Sequence, residues 1–398
     1  MNPTNHTRTP LRRIEPNLHA LQAAFEDNFR LGLECGAAVS VWQDGREALT
    51  LTGGHADSAR SMVWSPKTLV LTWSATKGPA AATLLAVCQQ QQVSLQTPVA
   101  ALWPEFAAAG KSGLRIQDIL SHRAGLFALQ DHSPRFTDHE AVVAALASQP
   151  PLDASGAAHA YGPRAFGYLL DELCRRIAGQ PLGALWRALI ADPLGLDYWV
   201  GLPESEFART AQILAPKLTA TIGEKTEFEE ALATAGSPTQ AAFSTPAGML
   251  TASTMNRAEV RKASFPAFGG IGSATALAKF YALLAAGGSL EGNTIFEPSA
   301  IRRMSERLSD GMDGVLHRPT AFSSGFMLDP LDEVGNKIRE LFGPSGDAFG
   351  HPGAGGSLAF ADPAHDLAFA YVMNQMEPGA LPRERALRLV RAMYSGPQ

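Results

Sequence analysis

The sequence has few cysteines, and their spacing does not suit a metal or redox site. Cys35, Cys88 and Cys174 are the three cysteines among 398 residues, and they form no Cys-x-x-Cys pair. Thiols that ligate zinc or cycle through a disulfide come in closely spaced groups. We therefore expect reduced cysteines that fill small apolar spaces in the core, and no metal site.

Long apolar runs and an excess of positive charge are also missing. No stretch of about 18 apolar residues predicts a membrane span, and residues 1–13 lack the apolar centre of a secretory signal. The net charge of −5 provides no basic surface for nucleic acid. We expect a cytoplasmic protein that acts on a small molecule and binds neither nucleic acid nor a membrane. The sequence does not predict its oligomeric state.

What remains is the composition of an ordinary globular protein, with 45% hydrophobic and 18% charged residues. Helically spaced apolar residues predict a helix over residues 15–32. Two strand-like runs follow, separated by Asp44-Gly45, which is typical of a hairpin turn. A third strand-like run covers residues 68–72. A helix laid against a hairpin predicts the start of an α+β layer.

The middle of the sequence, from about residue 97 to 245, is rich in Ala and Leu and has few strand signals. It contains a predicted helix over residues 164–178, and Gly179 suits the C-terminal cap of that helix. Residues 204–253 have no clear pattern. We predict a mostly helical lobe here.

The last part of the sequence returns to α+β character. Its predicted elements are a helix over residues 272–288, an alternating pattern from residue 338, strand-like runs from 349 to a turn at Asp362-Pro363 and over 367–372, and a helix over 382–394. We therefore predict a discontinuous α/β core domain, residues 1–95 and 250–398. A helical domain, residues 96–249, is inserted into it.

The most informative stretch begins at Trp73 and contains Ser74 and Lys77. An apolar run precedes it and an Ala/Leu-rich helical run follows, so Ser74 should lie at or just inside a helix N-terminus. Residues three apart share a helix face, with Cβ atoms about 5–6 Å apart, so the Lys77 amine can reach the Ser74 hydroxyl. The free N–H groups at this helix end would stabilise negative charge beside the serine.

A serine hydroxyl needs a neighbouring base to become a nucleophile, and that base is commonly a histidine. The sequence has no Gly-x-Ser-x-Gly elbow, which argues against an α/β-hydrolase triad. A lysine can act instead when burial lowers its pKa. Lys77 is the only one of eight lysines with a serine three residues before it. A helix-capping serine near a surface lysine is the alternative interpretation.

Tyr161 is a second candidate, in a turn-rich segment that precedes a predicted helix. Its phenol could hydrogen-bond Ser74 and shuttle the serine proton, helped by the positive field of Lys77. A packed loop tyrosine is the alternative. His122, which follows a helical apolar run, is interpreted as a structural residue that ties this helix to its turn, and not as a base.

Residues 350–357 contain four glycines within a strand pattern, which indicates close approach of backbone or ligand to a strand. Gly353 would leave room for a substrate along the strand edge. The Ala354 N–H could act with the Ser74 N–H as an oxyanion hole. A bulged strand that turns a corner is the alternative. His351 has no second His or acidic residue at ligand spacing, so no metal is expected there.

Together these stretches resemble the serine β-lactamase and penicillin-binding-protein superfamily, and within it the class C-like carboxylesterases of family VIII. Ser74-Ala-Thr-Lys77 is similar to the Ser-x-x-Lys motif of this superfamily, and residues 120–126 to its Leu-x-His-x-x-Gly-Leu segment. Tyr161 stands where a Tyr-x-Asn motif is expected. Residues 351–353, His-Pro-Gly, stand where a Lys-Thr-Gly strand motif is expected.

The resemblance implies a serine β-lactamase-like α+β fold, an antiparallel sheet flanked by helices, with a mostly helical inserted domain. It implies that Ser74 is acylated, that Lys77 and Tyr161 transfer protons, and that the Ser74 and Ala354 N–H groups form the oxyanion hole. It implies no metal and no organic cofactor. The residues that it places against the substrate are His351, Gly353 and Leu126.

Three positions depart from the β-lactamase pattern. Pro163 replaces the asparagine of Tyr-x-Asn, and Pro352 removes both a hydroxyl and a backbone N–H. His351 replaces a permanently charged lysine, so the carboxylate of a β-lactam should be recognised weakly. We predict hydrolysis of small carboxylic esters, with β-lactam hydrolysis at most a side activity. The alternatives are an amidase, D-peptidase or β-lactamase that uses the same residues, and a non-catalytic protein that binds acyl or peptide-like ligands.

Overall fold

Both ends of the chain contribute strands to one antiparallel sheet in the computed structural model, which describes residues 14–154, 156–217, 226–248 and 250–396. The strands, in chain order, are β1 (Gly36–Gln43), β2 (Arg46–Gly54), β3 (Val70–Leu71), β4 (Tyr198–Val200), β5 (Gly270–Gly272), β6 (Ser289–Leu290), β7 (Asn293–Thr294), β8 (Ser309–Met312), β9 (Pro319–Phe322), β10 (Met327–Leu328), β11 (Phe349–Pro352), β12 (Leu358–Asp362) and β13 (Leu367–Met373). The main sheet has the order β2-β1-β13-β12-β11-β10-β9-β8, and β3-β5-β4 form a smaller sheet.

The helices lie on both faces of the sheet and between its two halves in the sequence. In chain order they are α1 (Leu18–Arg30), α2 (Lys77–Gln90), α3 (Val99–Leu102), α4 (Ile116–Leu120), α5 (His139–Ser148), α6 (Ala165–Ala178), α7 (Leu182–Trp186), α8 (Glu227–Ala233), α9 (Pro238–Ser244), α10 (Ala252–Met255), α11 (Ala258–Lys262), α12 (Ala274–Ala285), α13 (Pro298–Ser305) and α14 (Glu384–Tyr394).

Strand β13 explains why the sheet is buried on both faces. Side chains alternate between the faces of a strand. The small residues Ala368 and Ala370 belong to the cluster that contains helix α12, whereas Phe369 and Tyr371 belong to the cluster that contains α1 and α14. Alanine on one face lets α12 pack closely, and the aromatic residues fill the space under the terminal helices. Each fully buried large side chain contributes roughly 1.5–3 kcal/mol of transfer free energy.

The predicted α+β fold is confirmed, and several predicted elements are present. The β1-β2 hairpin turns at Asp44-Gly45, where both residues have positive φ, 54° and 69°. Helix α6 ends at Gly179 in the left-handed conformation that favours glycine, with φ 71°. Helices α1 and α14 lie within the predicted helical segments.

Other predictions differ from the structure in part. The predicted helix over 272–288 is present as α12, although it begins at Ala274, because residues 270–272 form strand β5. Strand β4, in the segment predicted to be helical, pairs with β5 and thereby links this segment to the core. The alternating pattern after residue 338 forms no strand within the described residues, whereas the short strands β8, β9 and β10 were not predicted. The division of the chain into two domains remains a prediction.

None of the helices in the described ranges is long and apolar enough to cross a membrane. The prediction that residues 1–13 lack a secretory signal lies outside the described residues, as do parts of the unassigned segment, residues 218–225 and 249.

Candidate active site

Ser74 lies in a tight turn between strand β3 and helix α2. Residues 73–76 form one turn of 3-10 helix, and Lys77 begins the α-helix that follows. Trp73 has φ 50°, which is uncommon for a bulky residue and turns the chain sharply before the serine. Between Thr68 and Cys88, every residue except Ser74 is buried. The turn therefore presents a single side chain from an otherwise buried segment.

Thr76 fixes this turn from behind. Its hydroxyl donates to the Trp73 carbonyl and accepts a hydrogen bond of 2.8 Å from the Gly270 N–H of strand β5. Gly270 has no space for a side chain, because a Cβ atom there would lie 2.1 Å from the Tyr198 hydroxyl and 2.7 Å from that of Thr76. The small sheet thus holds the serine turn against the rest of the core.

The Lys77 amine is completely buried and contacts three oxygen atoms. Nζ lies 3.3 Å from Ser74 Oγ and donates to the carbonyl oxygens of Pro163, at 2.9 Å, and Ala267, at 3.0 Å. The hydrogen bond from Lys77 to the Pro163 carbonyl was not predicted, because only the missing amide side chain was considered at this position. A backbone carbonyl is present whatever the residue type, so no sequence signal identifies it.

The environment of Lys77 favours the neutral amine. Burial lowers the pKa of Lys77 well below its usual value of 10.5. A neutral amine has two N–H bonds and one lone pair. Since two carbonyls accept the two N–H bonds, the lone pair is left for the Ser74 hydroxyl. Lys77 is therefore placed to accept the proton of Ser74.

Tyr161 meets Ser74 from the loop before helix α6. Its side chain is buried beside Ser74, and Lys77 Nζ lies 4.8 Å from the centre of its ring. Burial raises the pKa of Tyr161, and the nearby Asp313 carboxylate acts in the same direction. The group is therefore a neutral phenol at ordinary pH. The help expected from the positive field of Lys77 remains a prediction, and the burial that lowers the pKa of Lys77 opposes it.

His122 holds the Tyr161 loop in place. Its backbone carbonyl accepts the Ala160 N–H at 3.0 Å, and its Nδ1 accepts the Gly162 N–H at 3.2 Å. The ring packs against that of Tyr161, with centres 5.1 Å apart. Burial lowers the pKa of His122 well below its usual value, so Nδ1 stays free to accept. His122 thus accepts hydrogen bonds from the residues before and after Tyr161, which fits its interpretation as a structural residue.

Asp313 is a second support that sequence reasoning missed. Its carboxylate is fully buried and accepts the Tyr161 N–H at 3.2 Å and the Thr320 hydroxyl at 2.9 Å. The same carboxylate accepts the N–H groups of Val315 and Leu316. Asp313 follows the short strand β8, which was not predicted. Its position near Tyr161 could therefore not be predicted either.

The glycine-rich stretch forms a turn and not one continuous strand. Strand β11 ends at Pro352 and β12 starts at Leu358, with a 3-10 turn over Ala354–Gly356 between them. Gly353 packs on the segment that leads to the serine, since a Cβ atom there would lie 2.2 Å from the Thr72 carbonyl oxygen. The expected close approach at Gly353 is present, and the neighbouring group is protein backbone.

The orientation of the Ala354 N–H follows from this turn. The Gly353 carbonyl accepts the Gly356 N–H at 3.2 Å, and in a planar trans peptide the next N–H points the opposite way. Within the described residues, neither the Ala354 N–H nor the Ser74 N–H donates a hydrogen bond. Both donors are thus available to a ligand.

His351 is a neutral, buried histidine in the middle of β11. Its Nδ1 lies 2.7 Å from the Pro352 carbonyl, which can only accept, so Nδ1 carries the hydrogen and Nε2 carries the lone pair. Nε2 is buried and has no partner among the described residues. Burial lowers the pKa of His351 to about 3. A neutral acceptor thus stands where the superfamily has a cation.

The remaining predicted substrate contact, Leu126, is part of the core. It is 5% exposed and lines a small internal cavity of about 10 Å³ together with His122 and Gly162. Its contact with a substrate remains a prediction. In the described residues no group of three His, Cys, Asp or Glu side chains is arranged to hold a metal ion.

Comparison with known proteins gives a consistent set of relatives. The Beta-lactamase family model matches residues 25–393. The chain is 30% identical over 365 residues to the esterase/beta-lactamase LipL of Mycobacterium tuberculosis, covering 91% of this chain and 82% of the relative. A penicillin-binding protein homologue from Caulobacter crescentus and a family VIII carboxylesterase each align with a TM-score of 0.83 and 34% identity, covering 96% of this chain and 98% of theirs.

Proposed function

The chain belongs to the beta-lactamase family, and on this premise we propose that it is a serine hydrolase that cleaves small carboxylic esters through an acyl-enzyme on Ser74. The observation that carries the proposal is the coordination of Lys77, whose two N–H bonds are occupied by carbonyls while its lone pair is left for the serine hydroxyl. Two of the relatives above are named as esterases, which supports the same activity.

Acylation begins with transfer of the Ser74 proton to the Lys77 amine. Ser74 Oγ attacks the ester carbonyl, and the negative charge that develops on the carbonyl oxygen is stabilised by the N–H groups of Ser74 and Ala354. When the tetrahedral intermediate collapses, the bond to the alcohol breaks. Tyr161, which lies beside Ser74, passes a proton to the leaving oxygen and recovers one from the Lys77 ammonium.

Deacylation uses the same groups in reverse. A water molecule attacks the acyl carbon and gives a proton to the Tyr161 oxygen, while Tyr161 passes its own proton to the Lys77 amine. The bond between the acyl carbon and Ser74 Oγ then breaks, Ser74 regains a proton from the Lys77 ammonium, and the carboxylic acid leaves. The ammonium that forms on Lys77 is paired with the negative charge on the tetrahedral intermediate, so the buried site holds no isolated charge.

The polar groups around Ser74 favour substrates without a carboxylate. His351 is neutral, and Pro352 has neither a side-chain hydroxyl nor a backbone N–H. Pro163 has no side-chain amide to hold an acylamino group. We therefore expect short neutral esters to react much faster than penicillins or cephalosporins, with β-lactam turnover at most weak.

Rates on three substrate classes test the proposal. The parent protein should release acid from short p-nitrophenyl esters faster than it opens a chromogenic cephalosporin or hydrolyses a D-amino-acid amide. Ser74→Ala should lose this activity, whereas the exposed Ser112→Ala control should keep it. A serine-directed phosphonate should add one adduct at Ser74. A parent protein that forms no adduct and cleaves no ester would be a binding protein, and the proposal would be wrong.

A further inference from the structure

A buried arginine lies directly behind the glycine-rich turn. Arg385 is on the first turn of helix α14 and is 1% exposed. Its Nη2 donates to the Gly355 carbonyl at 2.9 Å. The same carbonyl accepts the Glu377 N–H at 2.9 Å. The carbonyl of Gly355, the residue after Ala354, therefore accepts hydrogen bonds from two donors, one of which is a cation.

The other N–H bonds of Arg385 tie this turn to distant parts of the chain. Nη2 also donates to the Gln375 carbonyl at 2.8 Å, and Nη1 donates to the Leu33 carbonyl at 2.8 Å. The four donors of Nη1 and Nη2 are thus directed at partners in three separate segments. A flat, forked guanidinium can make this set of contacts, whereas a lysine ammonium has a single nitrogen.

Glu34 fixes the guanidinium from the opposite side. Its carboxylate lies 3.1 Å from Arg385 Nη1 and accepts the Tyr371 hydroxyl. Both members of the ion pair are buried, with side chains 1% and 0% exposed. Burial raises the pKa of Glu34 to about 7, and Arg385 opposes that rise. Buried ion pairs contribute little net stability, because desolvation offsets their attraction, so stability alone does not account for this one.

The turn needs such support because its backbone is unusual. Gly355 and Gly356 have φ values of 82° and 123°, which glycine adopts readily and which leave the segment conformationally free in isolation. A Cβ atom on Gly356 would lie 3.1 Å from Arg385 Nη2, so the guanidinium packs against the turn as well as bonding to it.

We propose that Arg385 is a positioning residue for the oxyanion-binding turn, with Glu34 as its buried anchor. By holding the Gly355 carbonyl, it keeps the Ala354 N–H directed at the oxygen that becomes negative during ester cleavage. This inference rests on the proposed function of Ser74 and assigns Arg385 no contact with the substrate. A donor that points correctly only part of the time stabilises the transition state less, while it binds the uncharged ester almost as before.

Arg385→Lys is the main test, because it keeps a positive charge opposite Glu34 but cannot bond Glu34 and Gly355 together. We expect kcat for a p-nitrophenyl ester to fall about 10-fold or more, since loss of an oxyanion donor lowers kcat about 100- to 1,000-fold in other enzymes. KM should change less than about twofold. A purely structural role would lower the melting temperature without this division between kcat and KM.

Arg391→Lys is the matched control, since Arg391 is on the same helix and is exposed, pairing with Glu384. It should leave both constants unchanged. A second variant, Glu34→Gln, removes the anchor and keeps its size, and should lower kcat in the same direction. Folding of each variant is followed by its melting temperature and circular dichroism. Should Arg385→Lys fail to fold, the folded Glu34→Gln protein decides by the same kinetic criterion.

Two results keep this inference separate from the esterase proposal. If the parent cleaves esters and a folded Arg385→Lys or Glu34→Gln protein has the parental kcat, the positioning role is overturned and the esterase proposal stands. Phosphonate labelling of Ser74 provides the second readout, because the phosphonyl oxygen takes the same place as the oxyanion. Suppose that the parent cleaves no ester, but that phosphonate labels Ser74 more slowly in Arg385→Lys than in the parent and at the parental rate in Arg391→Lys. The positioning role then stands although the esterase proposal fails.

Discussion

Among the described residues no carboxylate pairs with the buried Lys77 amine, which is unusual for a lysine and central to the proposed chemistry of Ser74. Burial lowers its pKa, and the two carbonyl partners from Pro163 and Ala267 would satisfy a neutral amine as well as an ammonium. The sequence motif predicted the contact between Lys77 and Ser74, because the spacing of three is local. It did not predict the carbonyls, which come from segments about 90 and 190 residues away.

The first residue-scale prediction concerns the stability of Lys77→Met as a function of pH. In the unfolded chain lysine binds a proton up to pH 10.5, whereas in the folded protein its pKa is far lower. Between these two values the unfolded state binds one more proton, so the contribution of Lys77 to stability is present above 10.5 and is lost as pH falls. The free energy of unfolding of the parent should therefore rise relative to Lys77→Met by about 1.4 kcal/mol per pH unit.

Urea unfolding of both proteins at several pH values on the alkaline side of neutrality measures this difference. Lys262→Met, at an exposed ion pair with Glu204, is the control and should show no such slope. A pH-independent difference between the parent and Lys77→Met would mean that Lys77 is charged in the folded protein, and it could not then serve as the base.

The second residue-scale prediction concerns Tyr161→Phe. Removing the phenol hydroxyl takes away the group that passes a proton to the leaving alcohol, so kcat for esters should fall about 100- to 10,000-fold with KM little changed. Tyr168→Phe is the matched control, because its hydroxyl is also buried but donates to the Phe136 carbonyl. Steady-state kinetics on an ester would count against the proton relay if both variants behaved alike.

The turn between β11 and β12 is the element that brings Ala354 close to the segment that contains Ser74. Four glycines in eight residues indicated close approach of a strand to something else, and the structure shows the approach at Gly353, against the backbone before Ser74. The split into two strands was not predictable from this pattern. A glycine-rich stretch suits a bulge as well as a turn, and the choice depends on pairing of β11 with β10, which the sequence did not reveal.

The element-scale prediction is that Gly353→Ala lowers ester turnover through this contact. Gly353 has φ −117°, which alanine adopts without strain, so the effect is purely the clash of a methyl group 2.2 Å from the Thr72 carbonyl oxygen. The displaced turn should lower kcat by at least about 10-fold. Gly346→Ala is the control, since a Cβ there meets no atom within 4 Å. Kinetics of a folded Gly353→Ala protein that match the parent would show that the turn does not position the Ala354 N–H.

At the scale of the whole molecule, the site joins segments that are far apart in the sequence. Ser74 and Lys77 come from the start of α2, Tyr161 from the loop before α6, and Ala354 from the turn between the central strands β11 and β12 of the main sheet. Local signals, such as the hairpin at Asp44-Gly45 and the cap at Gly179, predicted their elements well. Strands β8, β9 and β10 have two to four residues each, which is too short for a periodic pattern. The position of Asp313, which follows β8, was therefore not predicted.

The most direct test of whether the neutral Lys77 amine activates Ser74 is to stop ester hydrolysis early and locate the acyl group by mass spectrometry. In the parent protein, one acyl group should be found on the peptide that contains Ser74. No acyl group is expected in Ser74→Ala, and almost none in Lys77→Met. Ester turnover by the parent with an acyl group on another residue, or parental labelling of Ser74 in Lys77→Met, would contradict the claim that the neutral Lys77 amine activates Ser74.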